Sequence, residues 1–234
     1  MKQITKIAAI LLYAGSLLYL TSCAKEDSSD VNQDKIWTEY ELFYNKNDDK
    51  THAVARFRFG GSTGTLLELS DTSGAQVTFN GSVMPYNAWW GAHHLEFAGK
   101  LTGGTFSYKN TNGTVYTNAV PAGADTIAYP VGFDTIVKSQ SETFTWIGNP
   151  LAPDQSVGIF VGSWAWANDA LFYTEDDNAT NMILGVQAKN SLSLGQATVY
   201  MDRTVRKNTI NGTSKGGTIR YTYRPLNVNV SVVP

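Results

Sequence analysis

Alternation of apolar and polar residues is the dominant pattern of the chain after residue 35. In residues 75–80 (AQVTFN) and 226–232 (LNVNVSV), every second residue is apolar, as in a strand with one buried face. Such segments recur roughly every 8–12 residues, a spacing typical of β-sandwiches. No segment after residue 23 keeps an apolar period of about 3.6, the helical repeat. The pattern predicts an all-β protein.

Two pairs of these segments flank a short turn that contains glycine. Residues 65–80 hold two segments around DTSG, and residues 104–119 hold two around NTNG. Glycine adopts the left-handed conformation that such turns require. We therefore expect two β-hairpins here.

The alternating segments fall into two blocks. Residues 121–142 separate them, contain Pro121 and Pro130, and lack a clear strand pattern at their start. This division predicts two antiparallel, immunoglobulin-like β-sandwich domains, over residues 35–129 and 130–234. One larger sandwich is the alternative, because no sequence repeat relates the two blocks.

The first 23 residues have a different character. Lys2 and Lys6 precede an apolar stretch over residues 7–20 (IAAILLYAGSLLYL), and small residues lead to Cys23. A basic start, a short apolar core and a small-residue cleavage site define a secretory signal. A transmembrane helix needs about 20 apolar residues, more than this stretch offers. The sequence predicts a cleaved signal peptide over residues 1–22.

Leu20-Thr21-Ser22-Cys23 resembles the lipobox of bacterial lipoproteins, which is an aliphatic residue, two small residues and a cysteine. The resemblance implies that Cys23 carries a diacylglycerol and becomes the first residue of the mature chain. Cys23 is the only cysteine, so no disulfide framework can form. Two or more acyl chains hold a protein stably at a bilayer. A membrane is therefore the first expected partner.

An acidic, serine-rich run follows the cysteine at residues 24–30 (AKEDSSD). The run is similar to the export tag of lipoproteins displayed on the outer surface of some Gram-negative bacteria. The similarity implies an outer-membrane lipoprotein that faces the cell exterior. A solvated, flexible tether over residues 23–34 explains the same composition, so the periplasmic face stays open as an alternative.

Composition and charge narrow the function classes. Aromatic residues make up 12% of the chain, and there are 21 glycines, as expected for strands and turns. The formal net charge is −2, and no basic stripe marks a nucleic-acid surface. Nucleic acid is therefore not an expected partner.

Candidate catalytic residues lack the surroundings that catalysis needs. Residues 60–64 (GGSTG) match the G-x-S-x-G pattern of serine hydrolases, but a strand pattern rather than a helix follows. His93 and His94 are adjacent and would point to opposite faces of a strand, so they cannot easily chelate one metal. Glu39 and Glu41 share a strand face without an identified cleft. The sequence predicts a non-enzymatic protein with no cofactor.

The densest group of oxygen ligands is the run Glu175-Asp176-Asp177. Calcium takes 6–8 oxygen ligands, roughly, and acidic loops supply them in some proteins. The run lacks the spacing of a recognisable calcium loop, so a solvated turn explains it more simply.

Two Asp-Thr-Ile triplets, which contain Thr126 and Thr135, resemble the O-glycosylation signal of exported proteins in some gut-type Gram-negative bacteria. Both lie between the two blocks of strands, where an attached glycan would have room. Thr126 and Thr135 are therefore candidate modification sites.

Aromatic clusters are the candidate ligand-binding residues. Tyr86, Trp89 and Trp90 lie in one irregular stretch, and Trp164 and Trp166 lie in another. Aromatic side chains in loops can stack on sugar rings or anchor a protein partner. Packing in the core is the alternative, above all for Trp164 and Trp166, which would share one face of a strand.

The sequence predicts a membrane-anchored envelope lipoprotein whose sandwich modules bind a glycan or an envelope protein. A pilin or adhesin subunit that donates residues 226–232 as an added strand is the alternative. A hydrolase is disfavoured, because no nucleophile–base or metal constellation is found.

Overall fold

The computed structural model describes residues 26–70, 72–122, 126–162 and 168–234. No helix within these ranges is long and apolar enough to cross a bilayer. The first ten strands are β1 (Glu26–Asp27), β2 (Ile36–Asn45), β3 (Lys50–Phe59), β4 (Thr65–Glu68), β5 (Gln76–Phe79), β6 (Ser82–Val83), β7 (Tyr86–Asn87), β8 (Ala92–Ala98), β9 (Thr105–Lys109) and β10 (Val115–Ala119). The others are β11 (Thr135–Val137), β12 (Glu142–Thr145), β13 (Gln155–Gly162), β14 (Ala170–Thr174), β15 (Asn181–Leu184), β16 (Gly195–Asn208), β17 (Gly217–Arg224) and β18 (Val228–Val233), with one short helix, α1 (Val186–Lys189).

Twelve strands form one large sheet, whose main path is β1-β4-β3-β2-β17-β16-β13-β14. Along one side of β3, β4 pairs with one part of the strand and β8 with another, and β7 pairs with β8. Along one side of β16, β17 and β18 pair with different parts of the strand in the same way, and β11 pairs with β18. Two small sheets, β10-β9-β5-β6 and β12-β15, complete the fold. The prediction of an all-β protein is confirmed.

The large sheet contains strands from both predicted domains, residues 35–129 and 130–234. Residues 217–224 of β17 pair in parallel with residues 38–45 of β2, so the hairpins β2–β3 and β16–β17 meet edge to edge. Buried residues of both segments belong to one core cluster. The sequence predicts antiparallel sheets, whereas β1–β4, β11–β18 and β2–β17 are parallel pairs. Parallel neighbours come from distant parts of the chain, and local alternation carries no information about them.

Each small sheet covers part of the inner face of the large sheet. Tyr40 on β2 stacks on Phe106 of β9 with ring centroids 4.9 Å apart, and Phe57 on β3 lies 4.7 Å from Tyr108. On the other side, Phe144 of β12 packs against Tyr129, whose hydroxyl donates to the Val199 carbonyl of β16 at 2.8 Å. Two facing layers with aromatic rings between them make a β-sandwich, as predicted.

Residues 26–34, predicted to be flexible tether, are folded against the sheet. Glu26 and Asp27 pair with β4, and two 3₁₀ turns follow at Ser28–Asp30 and Gln33–Lys35. Ser28 and Gln33 are buried, and the Gln33 amide donates to the Ser28 carbonyl at 2.6 Å. Strand pairing satisfies backbone groups that a solvated tether would leave to water.

A buried lysine holds the region around β11 and β12 together. The Lys189 side chain is fully buried, and its ammonium group donates to the carbonyls of Val137 and Gln140, both at 2.6 Å. It also contacts the Glu142 carboxylate at 2.8 Å. A buried ammonium group is tolerated only with such partners, so these contacts are structural.

Candidate functional site

Several predicted residues lie outside the described part of the chain. These are the signal peptide over residues 1–22, the lipidation site Cys23, and the second tryptophan pair, Trp164 and Trp166. Their predicted roles stay predictions.

The outer face of the large sheet, opposite the small sheets, carries a row of rings across neighbouring strands. Successive members lie between 4.7 and 5.9 Å apart, measured between ring centroids or from the guanidinium carbon to a ring centroid. We call this set the aromatic row: Trp90, His94, His52, Phe43, Arg224, Tyr200 and Phe160.

The two histidines of the aromatic row form a direct hydrogen bond. His52 Nδ1 and His94 Nε2 are 3.1 Å apart, and the ring centroids are 5.3 Å apart with an interplanar angle of 20°. These values describe nearly coplanar rings joined edge to edge, a geometry in which the two nitrogens face each other rather than a shared metal ion. Burial lowers the pKa of His94, and the neighbouring His52 lowers it further, while Glu96 opposes the shift.

The turn before β8 separates the two adjacent tryptophans. The Asn87 side-chain oxygen accepts from the backbone N–H groups of Trp89 at 3.0 Å and Trp90 at 3.3 Å. Gly91 has φ of +53°, which closes the turn in the left-handed region. Trp90 packs on His94 with ring centroids 4.7 Å apart, whereas Trp89 is 94% exposed. We call residues 86–91 the Trp89 turn.

Tyr86, the first residue of the Trp89 turn, packs against His93 of β8. The Tyr86 ring lies edge-on to His93 at 5.4 Å. His93 is buried, its Nδ1 bonds to the Met84 carbonyl at 2.9 Å, and its Nε2 accepts from the Leu69 N–H at 3.2 Å. Tyr86 and His93 also line a crevice of about 770 Å³ between β4 and the small sheet β10-β9-β5-β6. Of the predicted aromatic trio, only Trp89 presents its ring fully to solvent.

A polar groove of about 670 Å³ lies on the same outer face, over β2, β17, β16, β13 and β14. Two ion pairs shape it. Arg220 donates to Glu41 at 2.7 Å, and Arg224 binds Asp202 through two hydrogen bonds of 2.7 and 2.6 Å. The residues that line the polar groove are Glu41, Asp154, Gln155, Ser156, Tyr173, Glu175, Asp202, Thr204, Arg206, Arg220 and Thr222.

Tyr173 forms the aromatic edge of this groove. Its side chain is 58% exposed, and its hydroxyl donates to Glu175 at 3.0 Å. Arg224, which belongs to the aromatic row, lies beside the groove through Asp202. The Trp89 turn and the polar groove are therefore connected along one face of one sheet.

Glu39 and Glu41, the carboxylate pair seen in the sequence, both face Arg220 at 3.5 and 2.7 Å. Glu41 lines the polar groove, but its charge is held by this guanidinium group. The carboxylate pair of a glycosidase flanks the bond that is cleaved, whereas both carboxylates here lie against one guanidinium group. The pair is better suited to hydrogen bonding than to acid catalysis.

The predicted acidic ligand run lies after β14. Glu175 accepts from Tyr173, and Asp176 accepts from the Thr174 hydroxyl at 3.4 Å. Among the described residues, no group of three or more metal-ligating side chains comes together. The loop with the G-x-S-x-G pattern runs directly into strand β4, so the helix that the hydrolase motif requires does not follow.

Thr126 and Thr135 are both exposed, as a modification site must be. Thr135 begins β11, and its hydroxyl donates to Asp134 at 2.9 Å. The C-terminal segment proposed for strand donation is already paired, because β18 lies between β16 and β11. Both edges of β18 are paired at residues 231–232, whereas, among the described strands, residues 228–230 pair on one side only, with β16.

Among known proteins, the chain is similar only to solved structures. No protein-family model matches it, and no curated protein matches it. A solved tetra-tandem repeat from the extending region of a large adhesion protein aligns over 84% of this chain and 49% of its own, with 13% identity and a TM-score of 0.26. The chain thus spans about half the length of that structure.

A second solved structure is CfaE, the adhesive subunit of the CFA/I fimbria of enterotoxigenic Escherichia coli. It aligns over 90% of this chain and 96% of its own, with 9% identity and a TM-score of 0.17. At these TM-scores the two alignments establish neither a shared topology nor a shared function.

Proposed function

We propose that the chain is a non-enzymatic lipoprotein of the bacterial envelope that binds a glycan through the Trp89 turn. Acyl chains on Cys23 hold it at the outer membrane, facing the cell exterior. The lipobox and the acidic run after it support the anchor and its placement, since two acyl chains give stable membrane attachment.

The exposure of Trp89 is the observation that carries the proposed binding role. An indole that is 94% exposed contributes almost no burial to folding. The backbone of Trp89 is nevertheless fixed by the Asn87 side chain, and its neighbour Trp90 is packed against the sheet. The backbone position of this ring is therefore set before a ligand binds, and only the two side-chain torsions of Trp89 become ordered when the ring is covered.

The surroundings of Trp89 favour a glycan over a protein partner. The core of a protein interface is depleted of charged residues, whereas Glu96, which forms an ion pair with Lys50 at 2.6 Å, borders the aromatic row at His52. One flat ring beside hydrogen-bonding groups matches a sugar, which offers C–H bonds on one face and hydroxyl groups around its rim.

A glycan array probed with the full-length, detergent-solubilised lipoprotein tests this proposal. The Trp89→Ala variant should lose the signal of the wild-type chain, because the stacking surface is removed. Ile210→Ala is the matched control, since Ile210 is also fully exposed and lies in the β16–β17 connection. Retained binding in Trp89→Ala would contradict the proposal, as would Trp89-dependent capture of a protein with no glycan bound.

A further inference from the structure

We infer that the polar groove is a second contact site of the same ligand, and that it selects neutral, chain-like glycans. This inference rests on the proposed function and adds a ligand class and a second set of residues. The groove shares the outer face of the large sheet with the Trp89 turn, but none of its residues belongs to that turn.

The lining of the groove is suited to a polyhydroxylated ligand. Its volume of about 670 Å³ lies within the range of roughly 300–1,000 Å³ typical of small-molecule sites. Hydroxyl groups from Ser156, Thr204 and Thr222 form its centre, and the two threonine oxygens lie 3.1 Å apart. Every lining side chain bears a hydrogen-bonding group, so an acyl chain or another apolar ligand would leave these groups unsatisfied.

The charge of the groove disfavours anionic glycans. Carboxylates outnumber guanidinium groups in the lining by four to two. Arg220 is already bound to Glu41, and Arg224 beside the groove is bound to Asp202. A uronate or sulfate group would therefore meet like charge without a free pair of arginines. Neutral sugars can donate hydroxyl protons to the carboxylates and accept from the guanidinium groups.

Gly158 keeps the floor of the groove open. It lies on β13 directly between Asp202 of β16 and Tyr173 of β14, two residues that line the groove. A Cβ at this position would contact Tyr173 at 3.8 Å and the Phe172 carbonyl at 3.9 Å, which are ordinary contact distances. A larger residue can therefore fill the depression without straining the strand.

The distance between the two sites indicates a chain-like ligand. The Trp89 turn leads into β8, and the groove extends from Glu41 on β2, two strands away, to Tyr173 on β14, six strands away along β8-β3-β2-β17-β16-β13-β14. At a strand spacing of about 4.8 Å, the groove begins about 10 Å from β8 and ends about 29 Å from it. A single sugar cannot span these distances, but an oligosaccharide of several units can. Contact at both sites then raises the affinity, because the second contact is intramolecular.

Calorimetric titration of the full-length lipoprotein tests the inference. The probes are neutral hexasaccharides (cellohexaose, maltohexaose and mannohexaose), hexagalacturonate and the corresponding monosaccharides. A neutral hexasaccharide should bind, and Gly158→Val should weaken it by about 10-fold or more. Ala119→Val is the matched control, since it adds a similar side chain at an exposed position of the small sheet and should leave binding unchanged. An unchanged denaturation midpoint shows that Gly158→Val is folded.

The outcomes separate this inference from the proposed function. Equal or tighter binding of hexagalacturonate overturns the charge argument. Hexasaccharide binding that is lost in Trp89→Ala and unchanged in Gly158→Val overturns the groove and leaves the proposed function standing. Binding lost in Gly158→Val and unchanged in Trp89→Ala supports the groove and contradicts the role of the Trp89 turn.

Discussion

Trp89 and Trp90 are adjacent in sequence, yet alanine substitution should affect folding stability in very different ways. Trp90 is partly buried and packs on two rings, His94 at 4.7 Å and His52 at 5.2 Å. Each aromatic pair contributes about 0.5–1.5 kcal/mol beyond the burial of its area. Trp90→Ala should therefore lower the free energy of unfolding by about 1–3 kcal/mol. Trp89 makes no such contacts with the described residues, so Trp89→Ala should change the free energy by less than about 0.5 kcal/mol.

Urea denaturation monitored by circular dichroism measures both effects on the same scale. The two variants remove the same side chain from neighbouring positions, so each is the control for the other. Equal destabilisation by the two substitutions would refute the assignment of Trp90 to packing and Trp89 to ligand contact. A stable Trp90→Ala variant would refute the structural role of the aromatic row.

Three further predictions concern the anchor, the histidine pair and the buried lysine. Cys23→Ser should move the chain from the membrane to the soluble fraction, and intact mass should show an unacylated chain. Because the folded state lowers the pKa of His94, the free energy of unfolding should be highest above about pH 6.5 and should fall as the pH drops from there through the lowered pKa. Thermal melts of His94→Gln should show a weaker decline over the same pH range. Lys189→Met should cost about 3 kcal/mol in urea denaturation, because the carbonyls and the Glu142 carboxylate lose their buried donor. The exposed Lys207→Met should cost less than about 0.5 kcal/mol.

Local patterns predicted strands well and strand partners only in part. The NTNG turn does join β9 and β10 into the predicted hairpin, because its two strands pair with each other. The DTSG turn contains Gly74 at φ +73°, yet the predicted hairpin around it is wrong. There β4 pairs with β3 and β5 pairs with β9, so the chain passes from one layer to the other. Turn residues determine where a chain bends but not whether the flanking strands pair.

The candidate site could be predicted only where it is local in sequence. The Trp89 turn lies within a few consecutive residues, and its irregular, aromatic-rich sequence was sufficient to locate it. Alternation could not show which tryptophan packs, since both lie outside a regular strand. The polar groove combines residues from five strands, and the parallel β2–β17 pairing that brings Glu41 to Arg220 leaves no local signal.

The most direct test of a glycan-binding outer face is a chemical-shift titration of the isotope-labelled, full-length lipoprotein with a neutral hexasaccharide selected on the array. The Trp89 indole N–H and the backbone amides of Thr204 and Thr222 should shift together, while the amides of β9 and β10 on the small sheet should not. Shifts confined to the small sheet, or none on the outer face at saturation, would contradict the proposed binding surface.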